Sequence, residues 1–158
     1  MDQILITILK DTYTLNELKH RLRALRARLE TQVFNSPDLE ENPEDLNWLN
    51  SLGQSFYQQF NSNNTSSLLA KLEAKVQSTN PLIMYLPFET SADQVKQIGN
   101  YVRTKINPNI LLDIKFNPDL LAGCALAWKG VLKDYSLKAR IEAQKLKILS
   151  SFKEYLQK

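Results

Sequence analysis

The sequence predicts an α+β protein in which helices come first and a small sheet follows. In the first half, leucines recur at steps of three and four residues, a spacing typical of amphipathic helices. After Pro81, short apolar runs bounded by Pro, Asn and Gly alternate with a helical pattern, which is typical of a compact α/β layer. We therefore predict a helical hairpin or small bundle over residues 1–80. A compact α/β domain, in the order strand, helix, strand, hairpin, helix, is predicted over residues 81–158.

The composition is that of an ordinary soluble globular protein. Of its 158 residues, 43% are hydrophobic and 23% are charged, and one core of useful size can be buried at this length. A net charge of +3 is too small to indicate a nucleic-acid-binding protein. The start Met1-Asp2-Gln3 carries no basic segment before its apolar run, so we expect an intracellular protein and no secretory signal.

Two helices are predicted at the start of the chain. Residues 2–13 contain an apolar cluster, for which we favour a helix over a strand. The next helix has a regular apolar seam, made of Leu15, Leu18, Leu22, Leu25, Leu29 and Val33. Its opposite face is basic, with Lys19, Arg21, Arg23, Arg26 and Arg28. For such a face we favour exposure to solvent over a site for an acidic partner.

Further helices are predicted between residues 43 and 80. Asn35-Ser36-Pro37 ends the seam helix, and Pro43 suits the first turn of the next one. The inward face of that helix is formed by Leu46, Leu49, Leu52, Phe56 and Phe60. After a polar break, Thr65 or Ser66 is expected to cap another helix. In all, three or four helices are expected before Pro81 at ordinary helix lengths.

The α/β half begins with a short strand, Leu82 to Leu86, between two prolines. Ser91-Ala92-Asp93-Gln94 is a capping-box pattern that opens a helix. Gly99 in the middle of that helix costs stability, and we expect it to mark a close approach to the sheet. A second strand is predicted from Ile110 to Phe116.

The stretch KFNPDLLAGCALAWKGVLKDYSLKARI, residues 115–141, predicts a hairpin followed by a helix start. The apolar run from Leu120 to Trp128 is expected to contain the first strand with its entry. Lys129-Gly130 is the expected turn, because Gly130 can take the positive φ that a two-residue hairpin turn requires. Ser136 is the expected N-cap of the last helix, with Asp134 adding negative charge near its N-terminus.

The last helix, predicted to begin at Ser136, carries more apolar side chains than one stripe. One side has Leu137, Ile141, Ile148, Phe152 and Tyr155, while Leu146, Leu149 and Leu156 widen the apolar surface. Core packing explains one stripe, and for the excess two interpretations remain open, a site for a partner helix and simple burial in the core.

No catalytic, metal or cofactor chemistry is predicted. His20 is the only histidine and Cys124 the only cysteine, so neither a histidine-based triad nor a multi-histidine or cysteine zinc site can be built. The glycines do not form a phosphate-binding loop. We therefore expect a protein that is not an enzyme, with no small-molecule substrate, no metal and no cofactor.

The order of residues in the hairpin stretch resembles the C-terminal signature of the delta subunit of bacterial F-type ATP synthase, called OSCP in mitochondria. The matching positions are Pro118-Asp119, Leu121-Ala122-Gly123, Gly130, Asp134, Ser136 and Arg140. The order of predicted elements after Pro81 is also similar to the C-terminal domain of that family. Two positions depart from the signature: Ala122 stands in a usual pair of glycines, and Tyr135 replaces a glycine.

The resemblance implies a structural role without catalysis. In that family, the helical N-terminal domain binds the N-terminal helices of the alpha subunits at the top of the catalytic head, and the C-terminal domain binds the end of the b subunit. The subunit thereby holds the head still while the rotor turns, which couples proton transport to ATP synthesis. The implied location is the cytoplasmic face of the bacterial inner membrane, reached only through the complex. A family member normally has six N-terminal helices, more than are expected here.

The resemblance also suggests which residues contact the alpha subunits and which contact the b subunit. For the alpha subunits we predict the apolar first segment, Ile4, Leu5, Ile8 and Leu9. For the b subunit we predict the end of the last helix, Phe152, Tyr155 and Leu156. Gly123, Gly130, Asp134, Ser136 and Arg140 carry the signature, and we expect structural roles for them.

Two alternatives remain open from the sequence. One is a small basic nucleic-acid-associated α/β protein that uses the arginines of the seam helix and the lysines of the last helix; no aromatic stacking pattern accompanies these residues on the strands. The other is an adaptor or stalk subunit of another rotary ATPase, such as the E subunit of a V-type ATPase. That family shares the order of helices and α/β layer, but its very long N-terminal helix has no counterpart here.

Overall fold

The computed structural model of the protein describes residues 2–34 and 42–156. The predicted helix end at Asn35-Ser36-Pro37 lies outside the described residues, as does the side chain of Val33. Within the described residues the chain has the predicted α+β architecture, with helices first and a four-stranded mixed sheet after them.

The first part of the chain is helical. Its helices are α1 (Asp2–Leu9), α2 (Leu15–Phe34), α3 (Pro43–Ser51), α4 (Gln54–Tyr57) and α5 (Thr65–Gln77). The described residues before Pro81 therefore contain five helical segments, and the prediction of three or four was too low. The helix predicted from Pro43 is divided because Gly53 adopts a φ of 75°, which a continuous helix cannot contain.

Leucine spacing explains the core of this region. The predicted seam of α2 is buried at Leu18, Leu22, Leu25 and Leu29. It packs in one apolar cluster with residues of α1, α3, α4 and α5, including Ile8, Leu49, Phe56 and Leu72. The start of α5 differs slightly from the prediction: Asn64 is the N-cap residue, and the Thr65 hydroxyl donates to the Asn61 carbonyl at 2.7 Å.

The sheet contains β1 (Leu82–Leu86), β2 (Leu112–Phe116), β3 (Ala125–Trp128) and β4 (Val131–Asp134), in the order β2-β1-β3-β4. Strand β1 pairs in parallel with β2 and antiparallel with β3, and β3 and β4 form a hairpin. Helix α6 (Ala92–Lys105) connects β1 to β2 and packs on the sheet in a second apolar cluster. The predicted capping box at Ser91 and Gln94 is confirmed.

The hairpin region is partly as predicted. Lys129 and Gly130 both have positive φ, 49° and 80°, as a two-residue turn of type I′ requires. The strand expected within the run Leu120–Trp128 occupies only the second half of that run. It begins only at Ala125, because a single 3₁₀ turn over Pro118–Leu120 and a positive φ at Leu121 take the chain out of extended geometry.

The last helix, α7, spans Leu137–Leu156. Core packing does not account for its apolar residues, because every described side chain from Arg140 onward is exposed. The helix meets the rest of the described chain at its beginning, next to the 3₁₀ turn.

Tyr13 joins the helical region to the α/β region. Its carbonyl accepts a hydrogen bond from the Leu112 backbone N–H at 2.9 Å, and its hydroxyl bonds Asn100 Oδ1 at 3.0 Å. The Tyr13 ring lies on Gly99. The close approach expected at Gly99 is thus present, but the neighbour is a side chain of the helical region and not the sheet.

Arg103 of α6 reinforces the same junction. Its guanidinium donates to the carbonyls of Leu9, Thr12 and Ile110, and it stacks on the Tyr13 ring. Burial lowers the pKa of Arg103, and electrostatic interactions with Tyr13, Glu17 and Asp11 partly oppose this shift. The sequence offered no signal for this residue, since a basic residue near a helix C-terminus is also explained by the helix dipole.

Candidate partner-binding surfaces

Gly123, in the loop between the 3₁₀ turn and β3, contacts Tyr135 and Ser136 at the start of α7, and we call this contact the signature loop. Gly130 lies apart from it in the β3–β4 turn, and Arg140 lies within α7. The backbone N–H of Tyr135 donates to the Cys124 carbonyl, and that of Leu137 donates to the Ala122 carbonyl, both at 2.9 Å. Gly123 lies between these two bonds with a φ of 82°. A Cβ at position 123 would stand 2.6 Å from the Tyr135 carbonyl oxygen, so only glycine fits without displacement of the backbone.

Ser136 and Asp134 start α7 in the predicted way. The Ser136 hydroxyl is fully buried and accepts the backbone N–H of Ala139 at 3.2 Å, the geometry of an N-cap. The carboxylate of Asp134 accepts the Ser136 backbone N–H at 2.8 Å. Hydrogen bonds from the hydroxyl and the backbone N–H of Ser136 lower the pKa of Asp134, although its side chain is exposed. Arg140 is exposed one turn further along.

The exposed apolar surface of α7 is the first candidate surface. Phe152, Tyr155 and Leu156, predicted to contact the b subunit, are 63%, 79% and 81% exposed. A hollow of about 530 Å³ follows one side of the helix, lined by Gln144, Lys147, Ile148, Ser151, Phe152 and Tyr155. Such a contiguous exposed apolar surface is typical of a site for another protein.

A groove between α1 and α5 is the second candidate surface. It holds about 240 Å³ and is lined in its apolar part by Leu5, Ile6, Leu9, Leu18, Val76 and, from the segment before β2, Leu111. Ile6 is an exposed large hydrophobic residue at its edge. Sequence reasoning missed Ile6, although it lies within the predicted apolar segment.

The four residues predicted to contact the alpha subunits have different positions. Ile4 and Ile8 are buried in the helical core, facing away from solvent. Leu9 is also buried but lines the groove with the partly buried Leu5. Two of the four predicted residues, Leu5 and Leu9, therefore line a surface groove. Their contact with the alpha subunits stays a prediction.

Two arginines of the basic face of α2 make contacts within the protein, while Lys19 and Arg23 of that face are exposed. The Arg21 guanidinium pairs with Glu17 at 3.0 Å, donates to the Asp11 carbonyl and the Thr12 hydroxyl, and stacks on Trp48. The guanidinium of Arg26 pairs with Glu73 at 3.2 Å. These contacts favour a structural role over contact with nucleic-acid phosphates, since carboxylates already neutralise the two charges.

The histidine and cysteine also have ordinary environments. His20 Nε2 lies 2.9 Å from Asp45 Oδ1 at the surface, and Cys124 is partly buried and free. Over residues 2–34 and 42–156, the histidine, cysteine and acidic side chains form no group of three that could hold a metal ion. None of the helices in this described part is both long and apolar enough to cross a membrane.

Comparison of the chain with models of protein families gave no match. A comparison with curated proteins gave no match either.

Proposed function

We propose that this protein is a non-catalytic connector in the peripheral stalk of a proton-translocating F-type ATP synthase. In this proposal the helical region contacts the N-terminal helices of the alpha subunits, and α7 contacts the b subunit. The protein links the catalytic head to the stalk and is held at the membrane only through the complex.

The observation that carries the proposal is the exposure of the apolar side chains of α7. This helix of 20 residues begins directly at the signature loop. Exposure of this many large apolar side chains is unfavourable in water, so a partner that covers them would gain the free energy of burial. An amphipathic helix of the partner provides the matching shape.

The signature loop adds support because its departures from the family pattern occur where a side chain can be accommodated. Ala122 and Tyr135, which stand where the family has glycine, are both exposed. Gly123, by contrast, has a positive φ and no room for a Cβ. The glycine that the backbone geometry requires is the one this sequence retains.

The α1–α5 groove supports the contact with the head. Its apolar lining and exposed rim residue Ile6 suit the apolar face of a helix. The groove and α7 belong to different parts of the fold, so the protein can contact two partners at once, as a connector must.

The first test is purification of the tagged protein from gently solubilised membranes of its own source, followed by mass spectrometry of the co-eluting proteins. We expect alpha, beta and b subunits, with one copy of this protein for every three alpha subunits. Recovery of nucleic acid or ribosomal proteins, with no ATP synthase subunits, would overturn the proposal.

Surface variants assign the two contacts. Ile6→Asp should reduce recovery of the head and retain the b subunit, whereas Phe152→Asp should do the opposite, because each change places a charge on one apolar surface only. Tyr101→Asp is the matched control, since Tyr101 is an equally exposed aromatic residue of α6 outside both surfaces. Equal losses for all three variants would indicate misfolding and not a contact.

A further inference from the structure

The apolar stripe of α7 has the spacing of a coiled-coil seam. Ile141, Ile148 and Tyr155 are seven residues apart, which places them at the a positions of successive heptads. Leu137, Gln144 and Ser151 then occupy the d positions. The hollow along α7 is lined by residues of both positions, so it follows this seam.

Basic residues flank this seam on both sides. In the same heptad frame, Lys138 and Lys145 take e positions and Arg140 and Lys147 take g positions. All four side chains are exposed. The basic flanks belong to the first two heptads, because the third has Phe152 at e and Glu154 at g. The e and g residues of a coiled coil meet those of the partner helix and determine which partner is accepted.

We propose that α7 pairs with an acidic amphipathic helix as a two-helix coiled coil, with Glu or Asp of the partner at the positions that face Lys138, Arg140, Lys145 and Lys147. This inference depends on the proposed function for the idea that α7 meets a stalk helix, and it adds the chemistry of that helix. The charges of the four residues are complementary to an acidic partner and favour it over neutral or basic helices.

The same charges disfavour a second copy of this protein as the partner. In a parallel pair, g residues meet e residues of the other helix, and in an antiparallel pair e meets e and g meets g. Both arrangements bring cations of the two copies together, because Lys138, Arg140, Lys145 and Lys147 occupy both flanks. The seam therefore selects a different chain.

An anionic membrane is the other surface that a basic amphipathic helix can bind. The a and d positions argue against it, because Gln144 and Ser151 place polar groups in the centre of the stripe. A helix–helix contact can seat small polar d residues beside large a residues, whereas insertion into lipid would bury them without partners.

The test uses two designed 28-residue helical peptides with identical apolar a and d residues. One carries Glu at every e and g position and the other carries Lys. With the intact protein we expect the Glu peptide to bind at least tenfold more tightly, with affinity falling as salt is raised from 50 to 300 mM. Equal affinity for both peptides, or an affinity independent of salt, would overturn the inference.

Two double variants test whether the charges beside the α7 seam cause the preference for the Glu peptide. Lys145→Glu/Lys147→Glu should weaken binding of the Glu peptide by about tenfold, as expected for reversing two exposed charges in a shared interface. Lys105→Glu/Lys153→Glu makes the same change in net charge away from the flanks and should leave binding within about twofold. Equal weakening by both pairs would show a nonspecific effect of net charge and overturn the inference. Circular dichroism confirms that α7 remains helical in each.

Further outcomes separate this inference from the stalk role. Binding of the protein to phosphatidylserine vesicles with no binding of the Glu peptide would overturn the acidic-helix inference in favour of a membrane. Recovery of ATP synthase subunits that is insensitive to Lys145→Glu/Lys147→Glu would support the stalk role and overturn the inference. Binding of the Glu peptide without recovery of those subunits would support the acidic-helix inference and overturn the stalk role. Sedimentation should show a monomer, and dimerisation through α7 would also contradict the inference.

Discussion

The aromatic ring of Tyr13 lies directly on the backbone of Gly99, in the space that a Cβ at position 99 would occupy. Tyr13 comes from the connection between α1 and α2, and Gly99 from the middle of α6. The glycine therefore allows the helical region to approach α6 closely, and this contact is bordered by the Tyr13–Leu112 and Tyr13–Asn100 hydrogen bonds.

Gly99→Ala should destabilise the protein although alanine is the better helix former. A gain of about 1 kcal/mol in helix propensity opposes a cost of about 1 to 3 kcal/mol for overpacking, and overlap with the ring makes the cost larger. Urea unfolding measures the result. In a Tyr13→Ala background the same substitution should become stabilising. A cost that persists there would show that Tyr13 is not its cause.

Arg103→Met should lower the free energy of unfolding by about 2 to 3 kcal/mol, because charged hydrogen bonds to the carbonyls of Leu9 and Thr12 are lost. Methionine retains much of the apolar stem, so the loss reports on the guanidinium. Lys105→Met, an exposed change at the end of α6, should remain within about 0.5 kcal/mol. Similar urea midpoints for the two variants would contradict the role of Arg103.

Gly123→Ala should be more damaging than Gly130→Ala. Both glycines have a positive φ, which costs an alanine about 1 to 2 kcal/mol. At position 123 the new Cβ would also press on the Tyr135 carbonyl, while at position 130 it would enter open space. Thermal unfolding of the two variants gives the comparison, and equal midpoints would mean that the loop can open without cost.

Ser136→Ala should cost about 1 kcal/mol in unfolding free energy, because Ser136 caps the first turn of α7. Ser150→Ala provides a control on the same helix, since the Ser150 hydroxyl is exposed and bonds only the carbonyl one turn earlier. Circular dichroism during urea unfolding measures both. An unchanged midpoint for Ser136→Ala would argue against its role as the cap.

Asp134→Asn should change the dependence of stability on pH. The pKa of Asp134 is lowered in the folded protein by hydrogen bonds from Ser136, so its charge stabilises the fold above the unfolded pKa of about 3.9. That contribution is lost as pH falls through the lower, folded pKa. The wild type should therefore exceed Asp134→Asn in urea midpoint at pH 7, and the difference should vanish near pH 2. A difference that is constant with pH would assign the effect to shape and not to charge.

Local signals predicted most of the helices and strands. The type I′ turn at Lys129-Gly130 and the capping box at Ser91 depend on neighbouring residues alone, and both are present. The break at Gly53 and the late start of β3 were missed, because apolar spacing continues through both places while the backbone does not. Periodicity shows which side chains share a face but not the φ of each residue.

Long-range relationships could not be predicted in the same way. The sequence indicates that Gly99 needs a close neighbour, but Tyr13 lies far from it along the chain. No sequence feature near Tyr13 indicates the contact. The apolar stripe of α7 is equally compatible with burial in the core and with contact to a partner. The spacing of apolar residues shows which side chains share a face but not what packs against that face. For the α1 segment, the sequence identified apolar residues without separating Ile8, which is buried, from Ile6, which is exposed.

The junction of Tyr13 and Arg103 has a mechanical consequence. A connector that turned freely between its two halves would take up rotary torque as internal twisting, and that work would be dissipated before it reached the anchored end. The side chain of Arg103 crosses the junction with directional bonds to two carbonyls, those of Leu9 and Thr12, and the Leu112 backbone N–H adds a bond to the Tyr13 carbonyl. Such directional bonds resist sliding of the two halves more than apolar contacts do. Under the proposed function, this junction would therefore give the connector low torsional compliance.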